Sequence, residues 1–542
     1  IYKLWREPAV QEFLQKPLER MPKHGAAEER MRQLERVGIK DAFVAIPAWQ
    51  NGGPIIVGGF RFNASRADVE KLVDDWLSAL QQNAPDAEQE TVQHRHHRIE
   101  VIRITAAPLI ATVYDRDWLF ASSSVEALTA LLDRADRRTA DTSATLAADA
   151  AFGAASKRVP ADYALFGYAR LDEFFARAAA QLPQNADHAQ RVPALRQIRS
   201  IAAATSFDNG KIRDLLFVTM PKAAEQSDLT RASLALATNE TFLYLATMLT
   251  FPPEPALSHQ NPAPVPSAGI SAGLQRVIAQ LGAAGISGDQ WNSAFGTELG
   301  VIGDWPPNAR IPALLATLPM KDAAKAEEIA TTITATTVEG SRWAVSERDG
   351  VRYYSQPPRN PLLPLSPTLG LGRDRAIFGL DAGSVETAMK RAAAVPDAQL
   401  ATTERFKSAE GTMHRGRQSF AYLDTAQLYT KLDAALRPML IMGAAFVPSI
   451  AQTVDLNKAP AAEVITRHLS PIVIAQSYEG DGYLTASVGP VSIYHAALGI
   501  AAASGAGATW YRSDISRGTG SSRPAPAIGL PLPSPSPDDE TP

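Results

Sequence analysis

The chain contains no cysteine. This absence excludes disulfides, thiolate nucleophiles and cysteine-ligated metal or iron–sulfur sites. It leaves the cellular compartment open, because a chain of 542 residues can bury enough apolar surface to be stable without covalent cross-links.

A strong excess of charge and long apolar runs are also lacking. Lys and Arg number 53 against 57 Asp and Glu, so the net charge of −4 creates no field that would recruit nucleic acid or an anionic membrane. No run reaches the roughly 18 uninterrupted apolar residues of a transmembrane helix. The two closest stretches, 439–450 and 491–503, are therefore predicted to be core helices.

What the chain does contain is a pattern that occurs twice. Residues 118–132 alternate apolar side chains, break at small residues and then enter a helix at Ser124-Val-Glu. Residues 378–392 repeat this order, with Ser384-Val-Glu at the same point. A serine that precedes a helix accepts a hydrogen bond from free backbone N–H groups. Ser124 and Ser384 are thus predicted to be helix caps and not nucleophiles.

The positions that follow this pattern also recur in the same order. Five of them return at one constant offset: Leu146, Ala147, Phe152, Phe166 and Tyr168 as Leu400, Ala401, Phe406, Phe420 and Tyr422. Strands joined by tight turns, with helices between groups of strands, are typical of an α+β unit. We therefore predict two tandemly duplicated α+β units, each a mainly antiparallel sheet with helices packed on one face.

Composition suggests the limits of these units. The first is predicted to span 1–225 and the second 226–510, followed by a disordered tail of Pro and Ser at 511–542. Proline-rich stretches at 252–267 and 357–367 are predicted to be a linker or long loops.

The first unit differs from the second at its start. The second unit opens with an apolar strand within 232–250, for which the first unit has no counterpart after Ile1. We expect that counterpart, with an export signal upstream of it, to precede Ile1 in a longer precursor.

The densest group of ionisable side chains is the run from His94 to Arg98. If this run is a strand, His94 and His96 share a face, and imidazoles at that spacing can bind zinc or copper. No nearby acidic residue obviously completes the coordination shell. A solvated polar strand is therefore the preferred interpretation, and neither a metal nor a cofactor is predicted.

Other chemical motifs are scarce. The chain has neither a His-Glu-x-x-His motif nor a phosphate-binding loop that ends in Gly-Lys-Ser/Thr. Trp49 and Trp305 occupy equivalent positions in the two halves, which predicts a shared structural role. If the sheets leave a groove, these two rings are the candidates to line it and hold an apolar ligand.

The repeated segments together resemble a bacterial family catalogued only as a domain of unknown function, of the tandem α+β repeat type. The resemblance rests on 119–126, 146–152, 376–386, 400–406 and 479–490. It implies export to the periplasm or cell envelope, and it carries no catalytic residues over to this chain.

Three functions are compatible with these observations. The preferred one is a non-enzymatic exported or cell-envelope protein that acts as a scaffold or protein-binding subunit. The alternative is a carrier of a lipid or other apolar ligand, and the second alternative is an uncharacterised hydrolase, for which no nucleophile and base can be paired. A large apolar cavity would favour the carrier, and an exposed apolar patch would favour a protein partner.

Overall fold

A computed structural model describes the fold. The described residues are 2–20, 32–33, 35–50, 53–83, 87–104, 107–136, 145–172, 198–222, 227–249, 281–282, 284–307, 309, 311–335, 342–358, 365–394, 399–414, 416–446 and 455–492. The predicted tail, the stretch 252–267, most of 491–503 and residues 359–364 of the second proline-rich stretch lie outside them. The protein is α+β, with two antiparallel sheets of 6 and 13 strands.

The chain divides into two compact units. The first takes residues 1–157 and 432–468, and the second takes 158–431 and 469–542. The strands of the first unit are β1 (Asp41–Gln50), β2 (Gly53–Arg61), β3 (Glu88–His94), β4 (His97–Ile104), β5 (Ala107–Asp115) and β6 (Trp118–Ser122). Its helices are α1 (Tyr2–Trp5), α2 (Pro8–Arg20), α3 (Arg66–Asn83), α4 (Val125–Ala135), α5 (Ala150–Ser156), the end of α11 (Thr425–Phe446) and α12 (Ala462–Thr466).

The second unit contains the larger sheet. Its strands are β7 (Leu165–Arg170), β8 (Ser200–Asp208), β9 (Lys211–Thr219), β10 (Thr241–Met248), β11 (Glu298–Asp304), β12 (Ala313–Pro319), β13 (Ala344–Arg348), β14 (Val351–Ser355), β15 (Thr368–Leu371), β16 (Arg375–Gly379), β17 (Ser419–Leu423), β18 (Ile472–Glu479) and β19 (Gly482–Gly489). Its helices are α6 (Gly288–Ala294), α7 (Ala323–Ala335), α8 (Ala382–Ala393), α9 (Gln399–Thr402), α10 (Glu404–Glu410) and the start of α11.

The six-stranded sheet has helices on both faces, so the predicted placement on one face is wrong. Leu119 and Phe120 are neighbours in β6 and therefore point to opposite faces. Phe120 packs with Leu128 and Leu132 of α4. Leu119 packs with Val69, Leu72 and Val73 of α3. Alternation along one strand thus supplies an apolar side chain to each face, and each face needs its own helix.

The 13-stranded sheet follows the same rule. Tyr353 and Tyr354 are neighbours in β14 and lie in different apolar clusters. The Tyr353 cluster includes Val385 of α8 and Phe406 of α10. The Tyr354 cluster includes Ile329 of α7. Successive residues of one strand therefore anchor helices on opposite faces here as well.

One strand order occurs in both sheets. The smaller sheet reads β1-β2-β6-β5-β4-β3, and the larger contains β11-β12-β16-β15-β14-β13 as one of its ends. Along the chain, α3 follows β2 and α7 follows the equivalent strand β12. Likewise, α4 follows β6 and α8 follows the equivalent strand β16. The larger sheet then continues from β11 through β10, β17, β18, β19, β9 and β8 to β7.

A group of helices completes the first unit. Lys458 pairs with Glu12 of α2 at 3.0 Å, and His468 Nε2 lies 2.6 Å from Glu7 Oε1. Arg437 of α11 pairs with Asp433 at 2.8 Å and donates a hydrogen bond to Ala459 O at 3.0 Å. These polar contacts hold the segment 432–468 to α2 and to itself.

Candidate functional site

The β3–β4 hairpin carries the histidine run, the densest group of ionisable side chains in the sequence. His94 pairs with His97 across the turn, and Arg95 takes the left-handed φ of 56° that a tight turn requires. This geometry places His96 in solvent at the tip of the hairpin and buries His97 beneath it.

Acidic side chains from two other elements meet this hairpin. The Nε2 atoms of His96 and His97 lie 3.8 and 3.4 Å from Asp136 Oδ2. The ligand atoms of His96, His97 and Asp115 all lie within 4.8 Å of one another. Asp136 caps the C-terminus of α4 and Asp115 ends β5. We call His96, His97, Asp115 and Asp136 the histidine–aspartate cluster.

The predicted metal candidates are only partly brought together. His96 belongs to the cluster, whereas His94 Nε2 lies 3.2 Å from Asp133 Oδ1. Sequence reasoning missed His97, Asp115 and Asp136, because it considered only acidic residues near the histidines in sequence. The acids come from a distant strand end and a helix end, so only the fold reveals them.

Two imidazoles and two carboxylates are a donor set that suits Zn²⁺. Tetrahedral coordination with bonds of about 2.1 Å places ligand atoms about 3.4 Å apart. The ligand atoms of His96, His97 and Asp115 lie within 4.8 Å of one another, so they would have to move closer to bind one ion, and Asp136 adds contacts to the two imidazoles. The contact between His97 and Asp136 is also a plain histidine–carboxylate hydrogen bond, which ties the hairpin to the end of α4.

The two tryptophans predicted to line a groove have different surroundings. Trp305 is 4% exposed, its ring centroid lies 6.1 Å from that of Phe242, and its Nε1–H donates to Ala309 O at 3.0 Å. Trp49 lies near the end of β1 and is partly exposed. The buried Trp305 ring, with its polar atom satisfied, has the features of a core side chain. A groove role for either ring stays a prediction.

A small cleft lies in the second unit between β9, α10 and β18. Its volume is about 90 Å³, and Arg405, Thr412 and Val473 are among the residues that line it. Sites for small molecules usually enclose about 300–1,000 Å³. This cleft has room for a few waters and not for a lipid chain.

Two apolar surfaces of the described residues face solvent. On β1, Val44 is 78% and Ile46 is 59% exposed. On α11, Met439 and Met442 are 62% and 60% exposed, and Leu436 and Leu440 are also exposed. The stretch 439–450 was predicted to be a core helix, and for its side chains 439–442 that prediction is wrong. Its apolar composition indicated burial, but these four side chains point away from the rest of the described chain.

The serines of the repeated pattern lie at helix starts. Ser124 is the N-cap of α4 and accepts a hydrogen bond from Ala127 N, as predicted. Ser384 is not a cap. Asp381 caps α8 instead, and it accepts hydrogen bonds from both Ser384 N and Ser384 Oγ at 2.7 Å.

One match to the Gly-x-Ser-x-Gly pattern of esterases, at 269–273, lies outside the described residues.

Among the described residues, no helix has both the length and the apolar content that crossing a bilayer requires. Comparisons with protein-family models, with curated proteins and with solved structures find no match to this chain.

Proposed function

We propose that this protein is a non-enzymatic scaffold or protein-binding subunit of the bacterial cell envelope. The observation that supports binding is the apolar stripe on α11. It comprises Leu432, Leu436, Met439, Leu440 and Met442. At 3.6 residues per turn these five positions fall within an arc of about 160°.

One polar edge of the same helix is anchored. Asp433 and Arg437 lie beside the stripe, about 100° and 140° from its centre, and the Arg437 guanidinium donates to Ala459 O and Pro460 O. These contacts hold the helix while the apolar stripe stays exposed. An exposed, contiguous apolar stripe of this kind is typical of a protein interaction site. Methionines suit such a surface because their flexible thioethers adapt to the partner.

The carrier and hydrolase alternatives have less support. A carrier needs an enclosed apolar volume, and the cleft described above, of about 90 Å³, does not supply one large enough for a lipid. A hydrolase needs a nucleophile and a base that face a substrate site. Ser124 caps α4, and Ser384 donates its hydroxyl to Asp381, the cap of α8, so both serines serve helix starts.

Site-specific photocrosslinking tests the protein-binding proposal. A photoreactive amino acid replaces Met439, and a matched one replaces Glu404, whose side chain is 92% exposed in a polar surrounding. Irradiation of envelope preparations is expected to give a discrete protein adduct at position 439 and none at 404. Lipid adducts alone at 439 would favour the carrier, and the absence of any adduct would contradict the proposal. Fractionation of the cells that naturally make this protein tests the envelope location.

The tandem duplication belongs to the same proposal. The common strand order of β1–β6 and β11–β16, with helices at the same two points, supports it. The constant offset between the five recurring apolar positions supports it independently, because it is a property of the sequence and not of the fold.

A second candidate function is binding of a divalent metal at the histidine–aspartate cluster. The convergence of His96, His97, Asp115 and Asp136 favours it. Calorimetric titration with Zn²⁺ should show one bound equivalent, which the double change His96→Ala and Asp115→Asn should abolish. The matched control is His468→Gln, a histidine that pairs with Glu7 elsewhere in the same unit. Equal binding by all three proteins would contradict a site at this cluster.

A further inference from the structure

Strand β1 is an apolar strand at an open edge. It is the terminal strand of its sheet and pairs with β2 on one side only, among the residues that the structure describes. Its sequence from Ala42 to Trp49 has no charged residue, yet none of its ten residues is buried. An apolar strand with every side chain at least partly in solvent indicates a surface that lacks its covering.

The equivalent strand of the larger sheet, β11, is covered by a neighbouring strand. Strand β11 holds the place of β1 in the shared strand order, and it is not an edge. Strand β10 pairs with it antiparallel, from Thr241 opposite Asp304 to Met248 opposite Glu298. Five of the seven residues of β11 are buried, and Ile302 is fully buried. The position beside β11 is thus filled by an apolar strand.

The other neighbour of β10 supports the comparison. Strand β10 also pairs with β17, which contains Phe420 and Tyr422. The sequence counterparts of those residues, Phe166 and Tyr168, lie in β7, which is the terminal strand of its sheet. Both strands that correspond to the neighbours of β10 are therefore edges.

Strand β1 has some of the features that protect an edge from pairing and lacks others. Natural edge strands are protected by shortness, lysines, proline or β-bulges. β1 is ten residues long and contains no lysine or arginine. Its one proline, Pro47, removes a single N–H at the bulge between Ala45 and Ala48, and the backbone from Asp41 to Ala45 stays regular.

We propose that the open edge of β1 binds an added β-strand, antiparallel, with the side-chain character of β10. The occupant is an extended peptide segment of aliphatic and aromatic residues without charge, like Thr241–Met248. Backbone hydrogen bonds supply affinity and the alternate side chains supply selectivity, as in other strand additions. On one face of the sheet the new strand covers Phe43, whose ring centroid lies 6.0 Å from that of Trp118. This site is separate from the stripe on α11.

The proposal is tested with a labelled synthetic peptide of sequence Thr241–Met248, with solubilising lysines outside that stretch. Binding is measured by fluorescence anisotropy and located by hydrogen exchange. We expect saturable binding and new protection of the β1 amides. A peptide with proline in place of Leu245 should not bind, because it loses a central N–H and the extended register.

Protein variants distinguish peptide binding at the β1 edge from nonspecific binding to exposed apolar side chains. Val44→Lys with Ile46→Lys adds charge to side chains that already face solvent, so folding should be retained while binding is lost. The matched control is Val345→Lys on β13, another terminal strand, where Val345 is 61% exposed. Binding that survives the β1 variant, or that Val345→Lys also abolishes, would overturn the proposal. So would self-association through β1 that excludes the peptide, since a second copy would then be the occupant.

Discussion

Arg391 Nη2 lies 3.1 Å from Asp304 Oδ2 and ties helix α8 to strand β11. Asp304 is buried, and its other oxygen accepts a hydrogen bond from Thr241 Oγ1 at 2.5 Å. Arg391 also donates to Leu236 O at 2.8 Å. One guanidinium and one carboxylate thus connect a helix, two strands and the short 3₁₀ helix Ala232–Leu236 of the second unit.

Replacing Arg391 should therefore destabilise the second unit strongly. Arg391→Met leaves the Asp304 carboxylate buried without its cation, and breaking a buried pair in this way costs about 3–5 kcal/mol. The matched change is Arg348→Met, which breaks an exposed pair with Glu386 and should cost about 1 kcal/mol or less. Urea denaturation followed by circular dichroism measures both. Equal midpoints for the two variants would show that Arg391 has no special role.

Tyr114 should tolerate loss of its hydroxyl. Its Oη is buried and finds no hydrogen-bond partner among the described residues. Burial, followed by the nearby carboxylates Glu70 and Asp74, raises the pKa of Tyr114 to about 12. An unsatisfied buried hydroxyl costs about 1–3 kcal/mol, so Tyr114→Phe should leave the melting temperature unchanged or raise it.

The control for Tyr114 is a tyrosine whose hydroxyl is satisfied. Tyr244 Oη lies 3.1 Å from Ser233 Oγ in the core of the second unit. Tyr244→Phe removes that hydrogen bond and should cost about 1 kcal/mol. If the two variants melt alike, the difference in their hydrogen bonding has no consequence for stability.

Helix α8 offers a test of which residue caps it. Asp381→Ala removes the acceptor for Ser384 N and should cost about 1 kcal/mol. Ser384→Ala removes only the exposed hydroxyl contact to Asp381 and should lower the free energy of unfolding by only about 0.3 kcal/mol. Thermal denaturation of the two single variants distinguishes them. A larger loss for Ser384→Ala would restore Ser384 as the cap.

Glu7 should make the helical part of the first unit sensitive to acid. The hydrogen bond with His468, and then the contacts with Arg467, hold the pKa of Glu7 below its usual value of 4.5. A lowered folded-state pKa stabilises the folded form above 4.5, and this contribution is lost as the pH falls through the lower pKa.

Hydrogen exchange of α2 measures this effect from neutral pH down to about pH 3. After correction for the intrinsic pH dependence of amide exchange, we expect acid to lower the protection factors of α2 in the wild type, with a smaller change in Glu7→Gln. Glu12→Gln, which removes the exposed pair with Lys458, is the control and should keep the pH dependence of the wild type. Loss of the dependence in Glu12→Gln as well would assign it to general charge on this surface.

Local pattern predicts much of this fold. Alternating apolar residues and tight turns predict strands at 109–114, 118–122, 351–355 and 376–380. These agree with β5, β6, β14 and β16 to within two residues, because both signals lie inside or beside the strand itself. The same local pattern does not predict which face of the sheet a helix covers. Leu119 and Phe120 are equally apolar, and only the positions of α3 and α4 decide that both are buried, on opposite sides.

The candidate sites were harder to predict for the same reason. His97 meets Asp115 and Asp136 only after three elements have come together, so no spacing in the sequence marks the cluster. Met439 and Met442 carry the residue type of a core helix and face solvent nonetheless. Composition indicates that a residue is apolar, but tertiary structure decides whether it is covered.

The pairing of β9 with β19 has a consequence for how the second unit is made. Thr219 lies opposite Gly482, and Ile212 lies opposite Gly489. The ribosome must add about 260 residues after β9 before its partner exists, and closing so long a loop is entropically costly and slow. During that interval one side of the β7–β8–β9 meander lacks its partner in the nascent chain, so the larger sheet cannot close on that side before β19 has been made.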